Sequence, residues 1–109
     1  VKKVLLAMVV AVAACAGTQL PTRTDAPLGE AIFNGRVKED VACYKCHNGD
    51  GKGTMRGPDL AKRVPGLTDQ EIATAIDEGP GLMPSFKGKV TPDEVAAVTQ
   101  WLRSRFPKN

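Results

Sequence analysis

Apolar and polar positions divide the chain into a hydrophobic start, a polar stretch and a long helical remainder. Val4 to Ala14 is one apolar run behind the positive start Val1-Lys2-Lys3. It is too short to span a bilayer, which takes about 20 residues, and it reads as an export signal. Ala16 to Pro27 offers Thr, Gln, Pro, Arg and Asp with almost nothing to bury, the composition of a flexible tether. From Leu28 onward apolar residues recur at helical spacing. A first helix is predicted over Leu28 to Val37, with Gly29, Ile32, Phe33 and Val37 on one face. Asn48 to Gly57 holds four glycines and no apolar stripe, so it is read as a loop. Thr68-Asp69-Gln70-Glu71 is a capping box that opens a second helix, and Gly79 closes it. Ile72, Ala75 and Ile76 form its apolar stripe. Thr91-Pro92-Asp93-Glu94 repeats the start signal, with proline at the first helical position. That last helix runs to about Arg105 and turns Val95, Val98, Trp101 and Leu102 inward. Nothing alternates at period two, so the fold is expected to be all-α. The expected divisions are residues 1–14 as signal, 15–27 as a cysteine with its tether, and 28–109 as one folded domain.

Composition narrows the possibilities. A chain of 109 residues with one Trp and one Tyr buries little apolar surface, and domains of this size gain from a covalent staple or a cofactor. The formal charge of +3 includes Lys2 and Lys3 of the signal; without them 13 basic residues face 12 acidic ones. So balanced a chain lacks the basic excess of a nucleic-acid binder.

Cys43-Tyr44-Lys45-Cys46-His47 carries the chemistry. In C-x-x-C-H each thiol can add across one vinyl group of a porphyrin, and the adjacent histidine reaches the iron from one face. One covalent haem c with its iron is therefore expected, held by Cys43 and Cys46 and ligated by His47. A zinc module needs four ligands, and beyond the signal and Cys15 the chain offers only these three Cys and His residues. A thioredoxin-like site needs a βαβ frame, and no strand is expected. Three methionines compete for the other axial position. Met8 lies in the signal, and Met55 follows His47 by only eight residues, in a loop that must turn back. Met83 follows by 36 residues, after a full helix, in the Gly/Pro-rich segment Gly81-Leu82-Met83-Pro84. Met83 is the expected ligand, and Met55 is read as core filler.

Over Leu28 to Phe106 the chain resembles the class I monohaem cytochromes c. Gly29 and Phe33 match the glycine and aromatic on the family's first helix, and Val98 and Trp101 match the aliphatic and aromatic on its last. The resemblance implies three to five helices wrapped around one haem, with the terminal helices crossing. Gly57-Pro58-Asp59-Leu60 is similar to the family segment in which the proline carbonyl accepts the imidazole Nδ1–H and the leucine packs on the haem. Pro58 and Leu60 thereby join the expected site. His/Met ligation leaves the iron no open position, so the expected function is one-electron transfer without an enzymatic reaction of its own. The alternative is a haem enzyme or a gas or redox sensor with a labile sixth ligand.

Location and partners rest on thinner signals. Val12-Ala13-Ala14-Cys15 resembles a bacterial lipobox, which implies acylation of Cys15 and a membrane anchor on an exported, periplasmic or otherwise extracytoplasmic protein. Redox proteins are the expected partners and a monomer the expected state. Lys45, Lys52, Arg56, Lys87 and Lys89 suggest a basic rim, but Asp50, Asp59 and Asp93 dilute it, and an ordinary solvated surface is the plainer reading.

Overall fold

In a computed structural model, residues 27–109 are described; the expected signal, Cys15 and the tether up to residue 26 lie outside the described residues. The elements are α1 (Leu28–Phe33), α2 (Tyr44–His47), α3 (Leu60–Arg63), a 3-10 turn (Val64–Gly66), α4 (Asp69–Glu78) and α5 (Pro92–Arg105). Among the described residues there is no strand, as the absence of period-two alternation implied.

The two long helices begin where their caps dictate. The Thr68 hydroxyl accepts Glu71 N–H at 3.0 Å while the Glu71 carboxylate accepts Thr68 N–H at 3.2 Å. Thr91 and Glu94 repeat this reciprocal pair at 3.1 and 2.8 Å. Both boxes satisfy backbone donors that have no partner inside the helix. Gly79 ends α4 in the left-handed region at φ +67°. The helix α1 is shorter than its periodicity suggested. It stops at Phe33, Asn34 receives the last turn, and Val37 stands exposed beyond it. Gly35 explains the stop, since it turns the chain at φ +70°.

Helix α5 is the spine. Helix α1 packs across it and α4 lies beside it, and the core gathers Ile32, Phe33, Val95, Val98, Leu102 and Ile76. Gly29 is buried where α1 meets α5, and a β-carbon there would collide with the Ala97 carbonyl and with Trp101 Cβ. The absent side chain lets the two backbones touch. Phe33 and Trp101 then pack beside the contact with ring centroids 4.9 Å apart at 47°. Arg103 of α5 fastens the 3-10 turn, its guanidinium donating to the carbonyls of Val64 (2.9 Å) and Leu67 and pairing with Asp69 at 2.9 Å.

Candidate functional site

The loops between the helices enclose a cavity of about 570 Å³. That size falls in the range of cofactor pockets, and most of the lining is apolar. Cys43, Cys46 and His47 line it, as do Pro58, Leu60 and Met83. The structure thus brings the expected haem-site residues, Cys43, Cys46, His47, Pro58, Leu60 and Met83, to one cavity; Cys15 lies outside the described residues.

Helix α2 is a single turn that carries Cys46 and His47, with Cys43 at its N-cap. His47 is buried, and its Nδ1 lies 3.0 Å from the Pro58 carbonyl oxygen. A carbonyl can only accept, so Nδ1 carries the proton and Nε2 keeps its lone pair for a metal. Gly57 makes the approach possible. A β-carbon there would sit 3.0 Å from the Cys46 carbonyl oxygen and 3.1 Å from the imidazole. The loop is bound beneath the helix by Thr54, whose hydroxyl donates to the Cys46 carbonyl at 2.6 Å.

Burial pushes the Cys43 thiol up to about 11, so it remains protonated at neutral pH. Among the described residues no group of three or more Cys, His, Asp or Glu side chains converges as a metal site by itself. The donor set fits a haem: two thiols on one helical turn, an oriented imidazole, and apolar walls around them.

Met83 is half-buried against the core, in the loop between α4 and α5. Met55 is fully exposed and lines no part of the cavity. Its reading as core filler is therefore corrected. The tight Thr54–Gly57 turn, closed by Thr54 N–H to the Gly57 carbonyl at 2.9 Å, holds residue 55 at its tip and leaves its side chain in solvent. Of the basic rim, Lys45, Arg56 and Lys89 border the cavity, joined by Arg63. The sequence reading missed Glu39 and Asp40, which line the same cavity and offset that charge. They lie in an aperiodic turn before the cysteines, where nothing in the pattern marks a wall.

Comparison with known proteins agrees with this geometry. Residues 24–102 match the family described as cytochrome c oxidase, cbb3-type, subunit III. The chain is similar to cytochrome c6 of Chlorolobion braunii, with 30% identity over 91 residues, spanning 78% of this chain and 96% of that protein. Among solved structures it is similar to the KustC0563 c-type cytochrome, with 32% identity and a TM-score of 0.52 over 62% of this chain and 88% of the other. An oriented histidine behind two thiols, a matching family model and c-type cytochrome relatives lead to one conclusion: the chain belongs to the cytochrome c family, carries covalent haem c with its iron, and works in haem-based electron transfer.

Proposed function

We propose that this chain is a one-electron carrier with a single haem, its iron ligated by His47 and Met83, and that it has no enzymatic reaction of its own. The observation that carries the reading is that Met83, and no other described methionine, shares the cavity with His47. When bound, the haem supplies an iron that cycles between Fe(II) and Fe(III). The chain does the rest. Cys43 and Cys46 hold the group in place, and the Pro58 carbonyl fixes the His47 ring in the tautomer that ligates. The thioether of Met83 would complete the protein ligation and favour the reduced state, and the apolar wall would keep water from the group.

The test is the absorption spectrum of the reduced protein before and after carbon monoxide. The wild type should show a c-type haem spectrum that carbon monoxide leaves unchanged. Met83→Ala should bind carbon monoxide or lower the reduction potential, and Met55→Ala should do neither. Ready binding by the wild type would move the function to the sensor or enzyme class.

We infer further that the domain works outside the cytoplasm as a monomer serving redox protein partners. We read Cys15 as its lipid anchor, because the small residues before it and the polar stretch after it suit an acylated tether. Two or more acyl chains give stable membrane binding where one is marginal. Twelve linker residues would let the domain reach roughly 20 Å from the surface. Cell fractionation should place wild type in membranes and Cys15→Ser in the soluble fraction; a wholly soluble wild type would leave a freely diffusing carrier.

A further inference from the structure

The segment that bears Met83 forms one wall of the cavity without a helix of its own. Between α4 and α5 it holds Gly79, Gly81 and Gly88 in left-handed backbone, at φ +67°, +62° and +85°. Its first half is tied to α4, through Phe86 N–H to the Ile76 carbonyl (3.1 Å) and the Ser85 hydroxyl to the Asp77 carbonyl. Its second half is tied elsewhere. Lys38, in the turn between α1 and α2, puts its ammonium 2.6 Å from the Lys89 carbonyl oxygen and 2.9 Å from a Glu94 carboxylate oxygen. The same Glu94 oxygen accepts Thr91 N–H at 2.8 Å. One ammonium thus joins the end of the Met83 loop to the first turn of α5. A longer ion pair, Lys89 to Asp40 at 3.7 Å, runs beside it. Asp40 and Lys89 both line the cavity, so this brace stands at its rim. It connects the stretch leading into Cys43 with the stretch trailing Met83.

We propose that Lys38 is a positioning residue for the axial methionine: by fixing the end of its loop against the approach to Cys43, it governs how readily Met83 leaves the iron. The inference rests on the reading of Met83 as a ligand. Bonds from an ammonium to a carbonyl and a carboxylate are stronger than neutral ones. The Glu94 side chain is only 14% exposed and that of Lys38 38%, so solvent screens the pair in part. Thr91 N–H first and Lys38 next hold the Glu94 carboxyl below its ordinary range, which keeps it ionised as an acceptor. The other bonds of the loop's second half are local, Lys89 N–H and Val90 N–H both reaching the Phe86 carbonyl at 2.8 and 3.1 Å, so the Lys38 ammonium and the longer Lys89–Asp40 pair are the ties that reach the turn before Cys43.

The test is the rate at which imidazole displaces the methionine from the ferric holoprotein, read from the methionine-to-iron charge-transfer band. Lys38→Met keeps the length of the side chain and removes the ammonium; displacement should be about tenfold faster, as expected for losing a charge-assisted bond. Lys38→Arg should restore most of the wild-type rate. Asp69→Asn breaks the exposed ion pair with Arg103 and serves as the stability control. It should lower the melting temperature without changing the displacement rate. An unchanged rate in Lys38→Met, or equal acceleration in Asp69→Asn, would overturn the proposal. A wild-type protein without the band would overturn the Met83 reading and the brace with it, whereas a normal band with an unchanged rate removes the brace alone.

Discussion

A β-carbon at position 79 would run into the Pro84 carbonyl carbon, the Met83 carbonyl oxygen and the Ser85 nitrogen, all backbone atoms that cannot step aside. Gly79 also sits at φ +67°, where a side chain costs roughly 1–2 kcal/mol before any collision is counted. This glycine both ends α4 and lets the Met83 loop fold back on the end of that helix. Gly79→Ala should therefore weaken or abolish the methionine-to-iron band of the oxidised protein, as well as lower its melting temperature. An intact band with only a small thermal loss would show that the loop reaches its place without the close contact. At this scale the sequence was legible where chemistry constrains spacing. Cys43, Cys46 and His47 follow from their motif, and Gly79 announced itself as a helix terminator. Its second role was hidden, because the collision involves residues four to six positions on and depends on the path of the loop. Met55 misled for a related reason. Apolar character argues for burial, but a tight turn held by Thr54 leaves that side chain no core to enter.

Among the helices, the crossing of α1 and α5 makes two expectations with opposite intuitions. Alanine is the better helix former by about 1 kcal/mol, so Gly29→Ala would stabilise an isolated α1. In the protein the new methyl group meets the Ala97 carbonyl and Trp101 Cβ, and the variant should be clearly less stable than wild type. Phe33 is 1% exposed, and Phe33→Ala should cost ~3–5 kcal/mol in denaturant unfolding. Trp101 is only half-buried, with Arg105 lying 5.5 Å over its ring, so its truncation should cost less than that of Phe33. A stabilised Gly29→Ala, or a surface-like loss in Phe33→Ala, would count against this crossing. The long helices were readable because α4 and α5 carry complete capping boxes and enough turns for an apolar stripe to repeat. Helices α2 and α3 have four residues each, too few for any period to show. They form because of what surrounds them, a haem motif on one and the Asp59 cap on the other, whose carboxylate accepts Ala61 N–H at 2.8 Å.

For the molecule as a whole, the helix contacts describe a partial core. Helix α1 and α4 lie on α5, and the 3-10 turn joins α3 to it, while among the described residues α2 finds no comparable helical partner. What α2 and α3 face instead is the cavity of about 570 Å³. Its walls are mostly apolar, and without a group to cover them they would stand against water. Haem is thereby expected to complete the core that Ile32 and Leu102 begin, and the apoprotein should not keep the closed structure. This dependence was foreseeable from a short chain poor in aromatic residues, but the extent of the void was not, since it arises from loops without periodic pattern. The double variant Cys43→Ala/Cys46→Ala, secreted without covalent haem, should lose most of its far-ultraviolet helical signal and its cooperative melt. The terminal helices should be the last remnant, since α1 and α5 meet each other directly where Gly29 lies against Ala97 and Trp101. In hydrogen exchange the amides of α2 and α3 should then be unprotected, while those at the α1–α5 contact retain partial protection. A haem-free variant with native circular dichroism and a single sharp melt would mean that the loops collapse onto an alternative core, and the cavity would be a poor guide to what holds this fold together.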